Sequence, residues 1–193
     1  MANSRDPGRF CLTQSPFILN NFHTVHTPTN QGVDLVRGEN LFQLLISGTE
    51  NWNAFRCQHP GCVMLNRISL PEAQLADADL HRAFLLESNF HRAILVRASL
   101  EGAILRKINL HGCDLRFAKF DGADLFAADL SGADMRDASL TASFLKRANL
   151  CGADLSTAHG LTEDQIVDAL GDQETRLPEN LSRPASWGSK GNQ

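Results

Sequence analysis

Three residues in the first third of the chain have side chains of the kind that bind zinc. Cys57, His59 and Cys62 lie within one six-residue segment. Structural zinc sites combine two ligand pairs, with two to four residues between the members of a pair. Four residues separate Cys57 from Cys62, but no second pair is evident. We therefore interpret the segment as a loop with incidental thiols and expect no metal and no other cofactor.

Other ionisable side chains recur at intervals of twenty residues. One set consists of His91 and His111, and another of Asp114, Asp134 and Asp154. Two histidines do not make a metal site without further ligands. Carboxylates in a row raise each other's pKa, but arginines lie close by, so Asp–Arg pairing across coils is the favoured interpretation. No nucleophile–base pair, phosphate-binding loop or HExxH motif is present, so we expect no catalytic residues and no enzyme.

The interval of twenty is a multiple of a shorter repeat that runs from residue 66 to residue 160. Read in fives, eighteen consecutive blocks from Leu70 to Leu155 end on Leu, Phe or Met without an insertion. The residue two places earlier is small in nearly every block, with Ile68 and Ile108 as larger exceptions. A period of five fits neither a helix face, at 3.6 residues, nor a strand, at 2.

The repeat requires a backbone that returns to the same inward direction at every fifth residue. A square coil with one pentapeptide on each side meets this requirement, and successive coils then stack at the inter-strand spacing of about 4.8 Å. The large residue of each block fills the axis, and the small one fits beside it. The predicted core therefore includes Leu80, Leu100, Leu115, Phe120, Leu125 and Leu150.

The blocks contain a recognisable pattern, A(D/N)LXX, as in Ala123-Asp124-Leu125 and Ala148-Asn149-Leu150. This pattern resembles the pentapeptide-repeat family. The segment from Trp52 to Arg56 is similar to the family's WNxWR-like lead-in, and residues 160–187 resemble the tail of many bacterial members. The resemblance implies an all-β solenoid, a right-handed quadrilateral β-helix.

A solenoid exposes an apolar cross-section at each end that must be covered. Residues 39–47 carry leucines at the i, i+3, i+4 spacing of a helix with one apolar face. At the other end, Thr162 and Gln165 form a capping-box pattern, apolar residues follow as far as Leu170, and Gly171 ends the predicted helix. Both segments are interpreted as α-helical caps, and a dimer contact through one of them is the alternative.

Outward positions twenty residues apart should form columns along the rod. One column is polar and is interpreted as a structural ladder of amides: Ser69, Asn89, Asn109, Asp129 and Asn149.

A second set of outward positions is apolar, although charged residues interrupt it. Large exposed apolar patches usually mark interfaces. We predict that this flank binds a protein partner or a second copy of the chain; the alternative is that the N-terminal segment folds over it. Its candidate residues are Phe84, Leu86, Ile104, Phe126 and Phe144, together with Ile94, Val96 and Phe117, which are predicted on a neighbouring side.

Some members of the family protect DNA gyrase and topoisomerase IV from quinolones by resembling duplex DNA. Residues 66–160 contain twelve acidic and eleven basic side chains, a net charge of −1. Duplex DNA carries one negative charge per about 1.7 Å, so this rod lacks the field of a duplex by an order of magnitude. Gyrase binding is therefore the alternative function, and direct nucleic-acid binding is not expected.

Composition sets the remaining expectations. The net charge of the chain is −4, and its five cysteines are odd in number and irregular in spacing, unlike a secreted disulfide framework. No signal peptide or membrane segment is evident, so a cytoplasmic location is expected. An organelle transit peptide is the alternative, because Asp6 is the only acid before Gly32.

The sequence therefore predicts four regions: an irregular or disordered arm (1–37), a cap helix and lead-in (38–65), the repeats (66–160), and a C-terminal cap helix and tail (161–193). The predicted function is that of a non-catalytic scaffold or protein-interaction module.

Overall fold

A computed structural model describes residues 23–25, 35–37 and 41–188 of the chain. In chain order its elements are strands β1 (His23–Val25) and β2 (Leu35–Arg37), helices α1 (Leu41–Ile46) and α2 (Thr49–Gln58), strand β3 (Cys62–Val63) and helix α3 (Glu163–Ile166). A 3₁₀ helix follows at Ala185–Gly188. Between β3 and α3 the chain forms stacked coils. No helix in the described part of the chain is long and apolar enough to cross a bilayer.

The coils pair through parallel bridges between residues twenty positions apart, which gives four pentapeptides per coil. The bridges form four ladders, which define four sides of the rod, named here after one member each. The Phe84 side comprises Met64, Phe84, Ile104, Asp124 and Phe144; the Asn89 side Ser69, Asn89, Asn109, Asp129 and Asn149; the Asp114 side Gln74, Ile94, Asp114, Asp134 and Asp154; and the Lys119 side Asp79, Ser99, Lys119, Ser139 and His159. Because they follow in this order around the coil, the Phe84 and Asp114 sides are opposite each other.

A β-turn at each corner separates one side from the next. In one such turn, the amide of Ala83 donates to the carbonyl of Leu80 at 3.1 Å. The second residue after each central residue from Leu65 to Leu150 has a positive φ, between 53° at Arg82 and 67° at Gly152. A positive φ at the third turn residue is the requirement of a type II turn. This turn explains why a pentapeptide can end one side and begin the next.

The axis of the coil is filled by the central residues. The six predicted core residues, Leu80, Leu100, Leu115, Phe120, Leu125 and Leu150, are at most 1% exposed. Small residues two places earlier, such as Ala98 and Ala118, are fully buried beside them. Each buried large side chain contributes about 1.5–3 kcal/mol before entropic costs, so the repeat itself is the principal source of stability.

At the N-terminal end, helix α2 lies against the open backbone edge of the first coil. Trp52 donates its indole N–H to the carbonyl of Asp79 at 2.7 Å. Asn53 donates to the carbonyl of Asp77 at 2.9 Å and accepts the amide N–H of Asp79 at 2.8 Å. The helix expected from the leucine spacing is α1, and its Leu41, Leu44 and Leu45 are buried. Polar side chains of α2 thus satisfy backbone groups that no preceding coil can reach.

The strands before α1 extend one side of the rod. β2 pairs in parallel with β3 and antiparallel with β1, with Val36 opposite Val63. Since Met64 follows β3 and begins the Phe84 ladder, these strands continue that side at its edge. Residues 1–22 and 26–34 of the predicted arm lie outside the described residues.

At the C-terminal end, the helix is shorter than predicted. The amide of Thr162 donates to Gln165 Oε1 at 2.9 Å, as a capping box requires, but α3 ends at Ile166. Leu170 pairs with Asn149 in the ladder and is 58% exposed. The helical prediction was wrong beyond Ile166, because the backbone after α3 hydrogen-bonds to the last coil. The amide of Leu150 donates to the carbonyl of Leu170 at 2.7 Å.

Candidate functional site

The Phe84 side carries apolar side chains over several consecutive coils. Phe84, Ile104 and Leu86 are partly buried, and Phe144 is 48% exposed. The interrupting residue, Asp124, accepts the amide N–H of Phe126 at 3.0 Å. Its carboxylate therefore serves the turn, while the apolar side chains above and below it remain on the surface.

Two aromatic rings on this side form a stacked pair. The ring centroids of Phe126 and Phe144 are 6.3 Å apart, with an interplanar angle of 12°. The guanidinium carbon of Arg106 lies 4.7 Å from the Phe126 centroid, and that of Arg147 lies 6.0 Å from it. At these distances the ring attracts a cation through its quadrupole. The surface thus combines exposed aromatic area with guanidinium groups.

The fold places four basic residues around Phe126. Arg106 and Lys146 occupy the same turn position as Phe126 in the coils before and after it, and Lys107 and Arg147 occupy the next turn position. The small Ala127 lies between the latter two. We call Phe126, Phe144, Arg106, Lys107, Lys146 and Arg147 the aromatic–basic surface.

Three of the four cations have an acidic neighbour, at moderate distances. Lys107 Nζ lies 3.6 Å from Glu87, Arg106 Nε lies 3.7 Å from Asp124, and Lys146 Nζ lies 3.3 Å from Asp168. Arg147 has no ion pair with any acid in the described part of the chain. Arg67 also belongs to this edge and shares Glu87, so five basic residues face three acidic ones and the edge is locally positive.

The other candidate interface residues do not join this surface. Ile94 belongs to the Asp114 ladder, two pentapeptides round the coil from Phe84. Val96 follows on the same side, and so does Phe117, which is 51% exposed. Their assignment to a neighbouring side was wrong, because with four pentapeptides per coil two steps lead to the opposite side. The predicted cluster of eight residues is therefore two separate groups.

The stacked aspartates of the Asp114 side are paired with arginine. Arg116 contacts Asp114 at 2.8 Å, and Arg136 contacts Asp134 at 2.6 Å. Hydrogen bonds from these guanidinium groups lower the pKa of both carboxyls below their ordinary value. The pairs form mainly within a coil, between residues two apart, and Arg116 also lies 3.8 Å from Asp134 across coils. The arrangement stabilises carboxylates rather than creating an acid for catalysis.

The histidines of the Asn89 side stack as the spacing predicted. The ring centroids of His91 and His111 are 5.1 Å apart and nearly parallel, at 6°. His111 Nδ1 lies 2.8 Å from Ser131 Oγ, which donates to Asp129 at 2.6 Å. Because the serine hydrogen is committed to Asp129, His111 Nδ1–H must be the donor to Ser131. The described residues contain no group of three or more potential metal ligands.

The amides of this side have the predicted structural role, but most of their hydrogen bonds are local and only two join coils. The side-chain carbonyls of Asn89 and Asn109 accept the amide N–H two residues later, at 3.1 and 3.0 Å. A bond of moderate length joins coils at Asn149 to Asp129, at 3.1 Å, while that from Asn89 to Ser69 is 3.5 Å. Most of the ladder therefore shapes local turns.

Sequence reasoning missed the role of Arg56, which organises the loop between Cys57 and Cys62. Arg56 is 1% exposed and donates to the carbonyls of His59 and Gly61, both at 2.7 Å, and of His81 at 2.8 Å. Burial lowers its pKa. The available signal was the similarity of the Trp52–Arg56 segment to the family lead-in, which marked the residue but not its contacts.

Comparison with known proteins identifies the repeat that forms the coils. Residues 73–112, 93–132 and 118–156 match the family model for pentapeptide repeats, with 8 copies. A solved pentapeptide repeat protein from the Arabidopsis thaliana thylakoid lumen is 29% identical with a TM-score of 0.50, over 52% of this chain and 70% of that one. A pentapeptide repeat protein from Nostoc PCC 7120 is 29% identical with a TM-score of 0.39, over 60% and 91%.

A third similar structure is QnrB1, a plasmid-mediated fluoroquinolone resistance protein. It is 20% identical with a TM-score of 0.39, over 57% of this chain and 62% of that one. A search of curated proteins finds no match.

The coil geometry and the match to the family model define a solenoid of stacked pentapeptides. Residues 73–156 of the chain are pentapeptide repeats, which confirms the resemblance seen in its A(D/N)LXX blocks. Known structures of such proteins are right-handed quadrilateral β-helices, and members are generally non-catalytic structural or interaction modules.

Proposed function

We propose that this protein is a non-catalytic scaffold that binds a protein partner through the Phe84 side of its solenoid. The observation that carries the proposal is the stacked pair of Phe126 and Phe144, with Phe144 48% exposed and two guanidinium groups against Phe126. Aromatic and arginine side chains are the residue types enriched in the energetic centres of interfaces. Leaving them in water forgoes the free energy that their burial releases.

The ends of the rod support the same function. α2 and α3 cover the first and last coils through the bonds of Trp52, Asn53 and Gln165 to coil carbonyls, the last at 2.8 Å to Leu140. With both ends covered, growth of the stack by addition of another rod end to end is disfavoured. The sides, whose outward residues the fold does not specify, are then the surfaces free to bind.

Protection of DNA gyrase is not favoured by the residues described. The Phe84 side is locally positive, whereas a surface that replaces duplex DNA must be negative. The similarity to QnrB1 covers only part of each chain at a low TM-score. A second copy of the chain is also a partner of the proposed kind, because the proposal states which surface binds and not which protein is bound.

The experiment is affinity capture from the native host's lysate with the wild-type chain and a Phe126→Glu/Phe144→Glu variant. Two glutamates in an aromatic interface centre would be desolvated beside apolar atoms, so we expect the variant to lose the partner. The matched control is Phe117→Glu, because Phe117 is exposed to the same degree, 51% against 48% for Phe144, but lies on the opposite side.

Circular dichroism and thermal unfolding first establish that each variant is folded. Loss of one protein from the Phe126→Glu/Phe144→Glu sample, with retention by Phe117→Glu, supports the proposal. Equal capture by all three chains would exclude this surface as the binding site. Capture of nothing by the wild type, with a monomer by light scattering, would exclude both a partner and self-association.

A further inference from the structure

The aromatic–basic surface has a charge that selects among partners. Arg106, Lys107 and Lys146 have side-chain exposures of 47%, 61% and 52%, so their charged groups remain in water. Each of these cations has one acidic neighbour, at a nitrogen–oxygen distance of 3.3–3.7 Å. Such exposed pairs are weak, so a better-placed carboxylate can replace them at little cost.

Arg147 is the residue that most clearly indicates a capacity to bind a carboxylate. It is exposed, forms no ion pair with an acid in the described part of the chain, and holds its guanidinium 6.0 Å from the Phe126 centroid. A guanidinium held against a ring is pre-oriented, and its remaining N–H donors can bind a carboxylate in a bidentate manner. The surface therefore offers an unpaired, oriented donor beside exposed aromatic area.

Coil spacing fixes the distance between the cations. Arg106 and Lys107 lie two coils from Lys146 and Arg147, which corresponds to about 10 Å at the usual strand spacing. Phe126 and Ala127 lie between the two pairs. An extended peptide advances about 3.3 Å per residue, and every second side chain faces the same way. Acidic side chains four residues apart, about 13 Å, therefore face the surface together within reach of the long side chains of both pairs, and the apolar side chain midway between them contacts Phe126.

We infer that the aromatic–basic surface binds an acidic segment of a protein partner, in which Asp or Glu residues four positions apart flank an apolar side chain midway between them. The inference rests on the proposed function and specifies which side chains the partner presents to this surface. The N-terminal segment of this chain is not suited to the surface, because residues 1–22 contain Arg5 and Arg9 and only one acid, Asp6. Those arginines would be repelled by the four cations.

The test uses the full chain as bait for a library of random heptapeptides displayed on phage. Enriched peptides should carry two acids four positions apart with an apolar residue midway between them. Arg106→Gln/Arg147→Gln should weaken binding of the best enriched peptide at least about tenfold. The matched control is Arg82→Gln/Arg92→Gln, which removes the same charge from exposed positions on other edges and should leave binding unchanged.

Other outcomes overturn the inference. No enrichment, or enrichment of peptides without acids, would show that the surface does not select acidic segments. Equal loss in both double variants would assign the effect to overall charge. Oligouridine that binds more tightly than the best peptide, and through Arg106 and Arg147, would make the surface a nucleic-acid site. If a captured partner depends on Phe126 and Phe144 but not on these arginines, the inference fails and the proposed function stands.

Discussion

The central position of each pentapeptide has the most constrained side chain in this protein. It could be predicted from the sequence, because a large residue every fifth position has a single geometric solution in which all of them point to one axis. Leu115 and Phe120, for example, are fully buried. Outward side chains could not be predicted as well, because their partners depend on rotamers that the repeat does not fix.

Leu115→Ala should destabilise the protein by about 2–5 kcal/mol, because a buried leucine leaves a cavity that the rigid stack cannot close. Urea unfolding measures the change. Lys119→Ala, four residues away on an outward position, should stay within about 0.5 kcal/mol. An unchanged unfolding midpoint for Leu115→Ala would contradict the assignment of the axis.

The aspartate–arginine pairs predict a dependence of stability on acid. The pKa values of Asp114 and Asp134 are lowered in the folded state by hydrogen bonds from Arg116 and Arg136. Their contribution is therefore present above the unfolded value, about 3.9, and is lost as the pH falls through the lower folded-state values. Since the carboxylates are partly exposed and the guanidinium groups lie in water, each pair should contribute only weakly to stability.

An Arg116→Gln/Arg136→Gln variant should consequently lose less stability than the wild type between pH 5 and pH 2, measured by urea unfolding at each pH. Identical curves for the two chains would show that the pairs are too well solvated to matter.

At the scale of elements, the ends of the rod differ most from what the sequence indicated. The leucine spacing predicted α1, but the contacts that hold α2 to the first coil come from Trp52, Asn53 and Arg56, whose partners are backbone groups about 25 residues away. No periodicity marks such bonds. At the other end, Leu170 matched a helical face but pairs as a strand residue with Asn149. Hydrogen bonding to the unpaired backbone edge of the last coil outweighs the local helical propensity.

Arg56→Lys should loosen the N-terminal end without changing the middle of the rod. Arg56 reaches the carbonyls of His59, Gly61 and His81 at once, and a single ammonium cannot span them. Hydrogen exchange should become faster at residues 59–61 and 77–81, while residues 110–130 keep their protection. Uniform acceleration along the whole chain would instead show that the rod unfolds as one unit.

Two glycines with the same backbone conformation should respond differently to alanine. Gly122 and Gly160 have φ values of 66° and 70°, but a Cβ on Gly122 meets nothing within 4 Å, whereas one on Gly160 would lie 2.9 Å from Thr141 backbone atoms. Gly122→Ala should cost about 1–2 kcal/mol from the left-handed backbone alone. Gly160→Ala should cost clearly more by thermal unfolding, and equal losses would contradict this packing of the last corner.

At the scale of the whole molecule, the number of pentapeptides per coil decides which residues share a surface. The sequence predicts four per coil and hence the columns, but it predicts Ile94, Val96 and Phe117 on a side next to that of Phe84. The ladders separate Phe84, Ile104 and Phe144 from Ile94 by two sides. The sequence indicates Arg106 and Lys146 only as interruptions of an apolar column, since the position of a guanidinium group over the Phe126 ring is a tertiary contact.

The central claim is that a protein partner binds the Phe84 side, and hydroxyl-radical footprinting of the captured complex tests it most directly. Phe144 and Phe117 provide the comparison within one chain, because they are 48% and 51% exposed and lie on opposite sides. They should be oxidised at similar rates in the free protein. We predict that the partner protects Phe144 and Phe126 and leaves Phe117 reactive. Protection of Phe117 with Phe144 still oxidised would contradict the account.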